Sequence, residues 1–249
     1  MATKKERQRE LARQAYERRM DRQAQRAKRT RQLWASAIAV VLVLGVGTGV
    51  AAAAGAFSPT KALTCSYTSS GTPAARKVSL PPKQPDVSAT YTAKITTNRG
   101  AISINLLNSK APCTVGSFVS LAQQKYFNNT PCHRLTTSGI YVLQCGDPTG
   151  TGSGGPGYKF ASENLSGASY TAGTVAMANA GPGTNGSQFF LVYRDSKSLH
   201  PDYTPFGTVV KGLRIIQNVA KAGTDNANGP GDGHPKEKVV IERVTIKKT

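Results

Sequence analysis

Three short stretches of this 249-residue chain carry side chains whose types and spacing could do chemistry together. Residues 132–134 (Cys-His-Arg) and 144–147 (Gln-Cys-Gly-Asp) supply one guanidinium, on Arg134, and one amide, on Gln144. Residues 177–190 begin as an apolar run, break into a loop of Asn, Gly and Pro, and become apolar again, which is typical of two strands joined by a shaped loop. Together these stretches predict a shallow apolar pocket rimmed by neutral donors and acceptors, with a single fixed cation.

Several other chemistries lack the residues that they need. The loop at residues 150–155 matches Gly-x-Gly-x-x-Gly, but a Pro-Gly pair follows it where a phosphate site needs a helix. Neither Gly-Lys-Ser/Thr nor Gly-x-Ser-x-Gly occurs, so phosphoryl transfer and serine hydrolysis have no motif. His133, His200 and His234 are far apart, and the four cysteines fit no zinc pattern. We expect no metal and no cofactor.

Hydrophobic periodicity predicts the elements that must position these residues. Residues 91–97 and 101–107 alternate around a turn that ends at Gly100, which predicts a β-hairpin. Further short strands are predicted around residues 133–135, 140–144, 206–210 and 239–246. Two helices are predicted, one from Pro112 with Val115, Phe118, Val119 and Ala122 buried, and one over residues 212–220 with Leu213, Ile216 and Val219 or Ala220 facing inward. This pattern favours a mainly β fold with a closed antiparallel sheet.

The three stretches resemble the signature of the cyclophilin family of peptidyl-prolyl cis/trans isomerases. That signature runs Phe-His-Arg, then Gln-Gly-Gly-Asp, and later Met-Ala-Asn-Ala-Gly-Pro-x-Thr-Asn-Gly-Ser-Gln-Phe-Phe, and residues 177–190 fit it at all but one position. The resemblance covers residues 88–249 as one isomerase domain. It implies a closed eight-stranded antiparallel β-barrel capped by two α-helices.

The resemblance also implies a role for each matching residue. Arg134 is the catalytic donor, Gln144 positions the substrate backbone, and Asn179 contributes backbone contacts. We interpret His133 as a hydrogen-bonded structural histidine rather than a base, although it belongs with the groove residues, and Tyr203 stands where the family has a histidine. The residues implied to bind substrate or form the proline pocket are His133, Tyr141, Val142, Ala178, Ala180, Gln188, Phe190, Leu199 and Tyr203.

The chemistry that follows is rotation about Xaa-Pro bonds. Amide resonance opposes that rotation with a barrier of about 18 to 20 kcal/mol, and a donor aimed at the amide nitrogen favours the twisted transition state. We therefore expect an isomerase that binds proline-containing peptides and unfolded exported proteins. The alternative is a membrane-tethered module of the same fold that binds proline peptides, or acts as a chaperone, with little turnover.

The amino-terminal third differs in composition from the rest. Residues 1–32 hold twelve Lys or Arg against four Asp or Glu, and residues 33–57 are free of charge. A helix of 25 residues is about 37 Å long, enough to cross a bilayer core of about 30 Å. We expect a basic cytoplasmic segment and a single transmembrane helix, with the isomerase domain outside the cell membrane. A cleaved secretory signal is the alternative.

Despite the net charge of +19, we expect no nucleic-acid partner, and we expect a monomer.

Two further expectations concern residues 58–87 and the cysteines. Residues 58–87 are rich in Pro, Ser, Thr and Lys, which is typical of a disordered linker. Four cysteines on the outer side of a membrane are expected to form disulfides, with three pairings possible. The resemblance favours Cys113 with Cys132, because the first helix of a cyclophilin-like fold would begin near the strand that carries Cys132.

Overall fold

The computed structural model describes residues 63–249. The predicted basic segment and transmembrane helix, at residues 1–32 and 33–57, lie outside the described residues. Among residues 63–249, no helix is long and apolar enough to cross a membrane. The elements are, in chain order, β1 (Thr68–Ser69), β2 (Tyr91–Thr97), β3 (Gly100–Leu106), α1 (Pro112–Gln123), β4 (Thr130–Pro131), β5 (Arg134–Thr136), β6 (Val142–Cys145), β7 (Tyr158–Lys159), β8 (Thr174–Met177), β9 (Phe189–Val192), β10 (Pro205–Lys211), α2 (Leu213–Ala222), β11 (Asp232–Gly233) and β12 (Val240–Lys248).

The main sheet contains ten antiparallel strands in the order β11-β5-β6-β9-β8-β10-β3-β2-β12-β4. The predicted closure is wrong: the sheet is a curled half-barrel whose outer strands, β11 and β4, have two residues each. The other eight strands match the number expected for the fold. Short outer strands leave few backbone groups unpaired, so the sheet can end without closing.

Alternation along the strands decides which face is buried. In β2, the side chains of Ala93, Ile95 and Thr97 are buried and Lys94 is exposed between them. The β2–β3 hairpin pairs Thr97 with Gly100, whose φ of +124° is a conformation that suits glycine. The predicted hairpin is therefore confirmed, and its turn residue has the expected left-handed backbone.

Both predicted helices are present and cover the sheet. Helix α1 buries the predicted Val115, Phe118, Val119 and Ala122 together with three neighbours, and Phe118 packs against the rings of Phe127, Phe189 and Phe206. Helix α2 buries Ile216 and Val219. Since side chains three and four positions apart share one helix face, the sequence spacing was sufficient to identify both buried stripes.

The predicted linker at residues 58–87 differs from the structure, because residues 63–87 pack against the isomerase domain. Cys65 and Tyr67 are buried in the main core, and β1 pairs with β7 as a separate two-stranded sheet. Arg76 donates from Nη1 to the carbonyl oxygens of Tyr126, at 2.8 Å, and Asn128. The domain therefore extends at its amino end beyond the predicted boundary at residue 88.

The disulfide prediction is also wrong. The structure pairs Cys65 with Cys113 and Cys132 with Cys145, and none of the four cysteines is free. Cys132 lies two residues before β5 and Cys145 ends β6, the strand that pairs with β5, so these two are neighbours across a hairpin. Cys113 instead meets Cys65, which residues 63–87 bring to the start of α1.

Candidate active site

Arg134 and Gln144 lie side by side because β5 and β6 pair them across the hairpin. Nη1 of Arg134 donates to Oε1 of Gln144 at 3.4 Å, and Nε2 of Gln144 donates to Oε1 of Gln188 at 2.8 Å. Nε2 of Gln188 then donates to the carbonyl oxygens of Gly152 and Gly154. This chain of amides orients Gln144 with its carbonyl toward Arg134 and its NH2 group toward Gln188.

Asp232 holds the other side of the Arg134 guanidinium. Its two carboxylate oxygens accept from Nε at 2.8 Å and Nη2 at 2.5 Å, and Asn228 donates to the same carboxylate at 3.1 Å. The Asp232 pKa is lowered chiefly by the hydrogen bonds from Arg134, against a smaller opposing effect of burial, and the Arg134 pKa is raised. Because the pair is bidentate, it fixes the plane of the guanidinium. The Arg134 side chain stays 37% exposed.

A small pocket of about 120 Å³ lies beside Arg134. Val142 and Phe190 belong to a second apolar cluster, with Tyr170, Ala176 and Val192, that forms the floor of this pocket. It is mostly apolar and has room for one small ring. We call it the proline pocket, and its lining residues are Arg134, Ile140, Val142, Gln144, Ala178, Asn179, Phe190, Leu199 and Tyr203.

The loop after β8 shapes one rim of the proline pocket. The Asn179 side chain donates to the carbonyl of Asp202 at 3.0 Å and accepts from the backbone N–H of Gly181 at 3.1 Å. The hydroxyl of Thr184 accepts from the N–H of Ala180 at 2.8 Å. The Asn179 side chain is therefore occupied in folding the loop at this rim.

A larger cavity of about 420 Å³ adjoins the proline pocket and shares Gln144, Ala178 and Asn179 with it. Ala180 and Gln188, both predicted to bind substrate, line this second cavity. The structure thus brings most of the predicted site residues to two neighbouring depressions, with Gln144 between them.

Two predicted site residues lie elsewhere. Tyr141 packs against Tyr193, and the guanidinium of Arg194 stacks 3.3 Å above its ring. Successive residues of a strand face opposite sides, so Val142 in the pocket turns Tyr141 away and brings Ile140 to the pocket. The register of the sequence assignment was therefore right for Val142, but the assignment placed two successive residues, Tyr141 and Val142, on the same side of the strand.

His133 is the other predicted site residue that lines neither cavity. It is only 8% exposed, and neither ring nitrogen has a hydrogen-bond partner among the described residues. Burial lowers the pKa of its imidazole, and the nearby Asp147 carboxylate only partly opposes this effect. His133 is therefore a buried residue next to Arg134 in sequence, and its ring does not line the site.

Sequence reasoning missed Asp232 and Ile140. Asp232 lies 98 residues after Arg134 in a Gly-rich stretch of sequence, and nothing in that stretch distinguishes it from an exposed acidic residue. It reaches Arg134 because β11 pairs with β5. Ile140 could have been found from strand alternation once Val142 was placed in the pocket.

Comparisons with known proteins agree with this geometry. Residues 92–246 match the model of the family described as cyclophilin type peptidyl-prolyl cis-trans isomerase. The chain is 48% identical over 208 residues to a Mycobacterium tuberculosis protein named Probable peptidyl-prolyl cis-trans isomerase B, covering 76% of this chain and 67% of that protein. It is 40% identical over 176 residues to peptidyl-prolyl cis-trans isomerase A of the same species, covering 64% of this chain and 93% of that protein.

A solved structure with the same fold is a cyclophilin type peptidyl-prolyl cis-trans isomerase of Cryptosporidium parvum, crystallised in the presence of the dipeptide Ala-Pro. The two share 30% sequence identity and a TM-score of 0.57, covering 64% of this chain and 99% of that one.

Proposed function

The chain belongs to the cyclophilin-type peptidyl-prolyl cis-trans isomerase family, and we propose that it isomerises Xaa-Pro bonds of exported proteins by means of Arg134 and the proline pocket. The residue assignment rests on one observation. The permanently charged Arg134 and a set of apolar side chains line the same pocket of about 120 Å³, which has room for one small ring.

The chemistry needs neither a nucleophile nor a metal. In the planar amide the nitrogen lone pair is delocalised into the carbonyl, whereas in the twisted transition state it is localised and basic. A hydrogen-bond donor near that nitrogen therefore stabilises the twisted form more than either planar isomer. A change from tens of seconds to milliseconds requires about 6 kcal/mol of such selective stabilisation.

Arg134 suits this role because its charge is permanent and its geometry is rigid. Asp232 occupies Nε and Nη2, which leaves Nη1 with a single long bond to Gln144. With the proline ring in the pocket, we infer that Nη1 donates to the imide nitrogen. Gln144, held by Gln188, supplies an amide for the neighbouring backbone of the peptide.

An exchange measurement on an Ala-Pro peptide tests this assignment. We expect the wild-type protein to accelerate exchange and Arg134→Ala to lower kcat/KM by about 100-fold, as for removal of one transition-state donor. Arg134→Lys keeps the charge without the fork and should recover only part of the rate. Arg243→Ala, at an exposed arginine of β12, is the matched control. Binding without acceleration by the wild type would support the module with little turnover, and full activity of Arg134→Ala would refute the role of Arg134.

The proposal that the clients are exported proteins has support in the cysteines and in the amino-terminal sequence. All four cysteines are paired in disulfides, which persist in oxidising compartments. A basic segment followed by 25 uncharged residues would hold the domain on the outer side of the membrane.

Protease treatment of intact cells, followed by immunoblotting of membrane and supernatant fractions, tests this location. We expect a full-length membrane-bound protein whose isomerase domain is digested from outside, with a cytoplasmic protein as the protected control. A shorter, soluble product would support the cleaved signal, and complete protection in intact cells would refute the external location.

A further inference from the structure

The outer surface of the main sheet has a different character at its two ends. On β6, β8 and β9, the outward side chains of Val142, Ala176 and Phe190 belong to the apolar cluster at the floor of the proline pocket. At the other end, the neighbouring strands β10, β3, β2 and β12 present polar and basic side chains outward. Because the sheet is curled, the outward side chains of β12 point in a different direction from those of β6.

The strand register brings basic side chains of this second end onto one surface. Lys94 of β2 lies opposite Thr245 of β12 and opposite Ser103 of β3. Lys211 of β10 lies opposite Ser103 on the other side of β3. Residues that lie opposite each other in neighbouring strands share a face of the sheet. Lys94 and Lys211 are therefore on the same surface, two strands or about 10 Å apart.

Strand β12 adds two more cations to this surface. Arg243 and Lys247 lie two residues to either side of Thr245, so alternation along the strand turns all three the same way. The four basic side chains are exposed, and none forms an ion pair with another residue of the range 63–249. We call Lys94, Lys211, Arg243 and Lys247 the basic face.

Few acidic residues accompany the basic face. Strands β2, β3 and β10 contain neither Asp nor Glu, and the one acidic residue of β12, Glu242, lies in the bulge beside Arg243. Lys248, at the end of β12, is paired with Asp86 at 2.8 Å, so this pair adds no net charge. The surface thus carries four positive charges and one negative charge, and its electrostatic complement is an anionic surface.

The chain enters the domain near one end of the basic face. We call residues 63–87 the N-terminal strap. Within it, the N–H of Cys65 donates to the carbonyl of Lys83 at 2.7 Å, and Asp86, three residues further on, holds Lys248 at the end of β12. The first residues of the strap therefore lie close to the end of the strand that carries two of the four cations.

The length of the connecting chain makes a lipid bilayer the anionic surface within reach. The predicted transmembrane helix ends at residue 57, eight residues before Cys65. Eight residues extend over at most about 29 Å, so a domain anchored in this way stays close to the lipid headgroups. Such a tether gives the domain a high effective concentration at the membrane surface. Each basic residue near an anionic bilayer then strengthens binding about fivefold.

We propose that the basic face docks on an anionic lipid bilayer. Contact through β10, β3, β2 and β12 orients the domain on the membrane and leaves the proline pocket, on β6, β8 and β9, open to a client. This role goes beyond the isomerase function, since it uses no residue of the proline pocket.

Vesicle sedimentation tests the surface itself. The protein used is residues 63–249, which contain the hydrophobic core and both disulfides and so fold without the preceding segment. We expect it to sediment at low ionic strength with vesicles of phosphatidylglycerol and phosphatidylcholine in equal amounts, but not with phosphatidylcholine alone. Added salt should release it, because exposed charges are screened.

A triple variant and a matched control locate the contact. Lys94→Gln/Arg243→Gln/Lys247→Gln removes three cations of the basic face and should weaken binding to the mixed vesicles about 100-fold, at about fivefold for each charge. The control makes the same change of net charge at exposed lysines in the loop after β9, on α2 and before β12, and should bind within about twofold of wild type. It is Lys197→Gln/Lys221→Gln/Lys236→Gln. Circular dichroism checks that both variants are folded.

A second measurement uses the full 249-residue protein, reconstituted in the same two kinds of vesicle. A lysine-acylating reagent that does not cross the membrane is added, and mass spectrometry gives the rate at each lysine. Lys94 and Lys247 should react several-fold more slowly in the mixed vesicles than in phosphatidylcholine alone, whereas Lys197 should react equally in both.

Three results would overturn the docking surface. The first is failure of residues 63–249 to bind the mixed vesicles at low ionic strength. The second is an equal loss of binding in the two triple variants, which would show that net charge acts without a defined face. The third is equal reactivity of Lys94 in the two kinds of vesicle, which would show that the full chain does not use this face.

Discussion

Arg134 is oriented by the carboxylate of Asp232, in a strand far from it in sequence. Asp232 accepts from two of its three nitrogens, so the third can approach a ligand only from the side of the proline pocket. An arginine without this partner would keep its charge but lose its fixed plane. At the scale of single residues, Asp232 thus orients the guanidinium of Arg134 without withdrawing it from the proline pocket, which Arg134 still lines.

We predict that Asp232→Asn lowers kcat/KM for an Ala-Pro peptide by about tenfold, or about 1.4 kcal/mol. Asparagine keeps the size and one acceptor but loses the bidentate, charged contact. Glu237→Gln, which removes a carboxylate from the exposed pair with Arg99, is the matched control. Wild-type activity in Asp232→Asn would contradict the positioning role.

Ionisation of the Asp232 carboxylate should also make kcat/KM depend on pH, which a purely structural role of Asp232 would not. Arg134 lowers the Asp232 pKa, so the carboxylate remains ionised below its usual value of 3.8. Asp232 therefore holds Arg134 fully at pH values above 3.8. This contact is lost as pH falls through the lowered pKa of Asp232. We predict an acidic limb in wild-type kcat/KM below pH 4 that is absent in Asp232→Asn, measured with circular dichroism as a check that both proteins stay folded.

His133 gives a second prediction for a single residue. Burial lowers its pKa, so the folded protein holds the ring neutral at pH values where the unfolded chain already binds a proton. Its stabilising contribution is present above its ordinary pKa of 6.5 and is lost as pH falls through the lowered one. We predict that the midpoint of urea unfolding falls between pH 7 and 5 more steeply in wild type than in His133→Leu. His200→Leu, at an exposed histidine, should keep the wild-type slope.

At the scale of elements, the two disulfides have different relations to the site. Cys132–Cys145 joins the beginning of β5 to the end of β6, next to Arg134 and Gln144. Cys65–Cys113 joins the strap to α1, away from the proline pocket. One crosslink holds the β5–β6 hairpin, and the other holds residues 63–87 to the start of α1.

We predict that replacing both cysteines of each pair with serine separates stability from activity. The sequence separations of 13 and 48 give losses of about 3 and about 4 kcal/mol in unfolding free energy, respectively. Cys132→Ser/Cys145→Ser should also lower kcat/KM for a short Ala-Pro peptide, whereas Cys65→Ser/Cys113→Ser should not, at a temperature where both are folded. Equal losses of activity would show that neither crosslink acts locally.

The sequence was sufficient for both helices and for the eight longer strands of the main sheet, because hydrophobic periodicity depends on neighbouring residues. It placed Tyr141 in the pocket together with Val142, although successive side chains of an extended segment face opposite sides. The correct pairing of Cys132 with Cys145 could have been found from the hairpin that aligns Arg134 with Gln144. Asp232 could not, because its contact depends on a strand pairing between segments 98 residues apart.

At the scale of the whole molecule, composition was a poor guide to where the domain begins. Residues 63–87 have the Pro-rich, polar sequence of a linker, yet Tyr67 and Cys65 are buried in the core. A few apolar anchors and a disulfide are enough to order a segment that could not fold alone, since the domain supplies the surface on which it packs. The strap is thus ordered by long-range contacts that composition does not report.

We predict that a chain beginning at residue 88 is less stable than one beginning at residue 63 by about 4 kcal/mol or more, because it loses the crosslink at Cys113 and the packing of Tyr67. A domain with a typical total stability of about 5 to 15 kcal/mol would then be marginal. Its kcat/KM for a short Ala-Pro peptide, corrected for the folded fraction, should be retained, since the proline pocket takes no residue from the strap. Urea unfolding of both fragments, with Cys113→Ser in each to exclude stray disulfides, isolates the packing contribution. Equal stability of the two Cys113→Ser fragments would show that the strap lies on the domain without stabilising it.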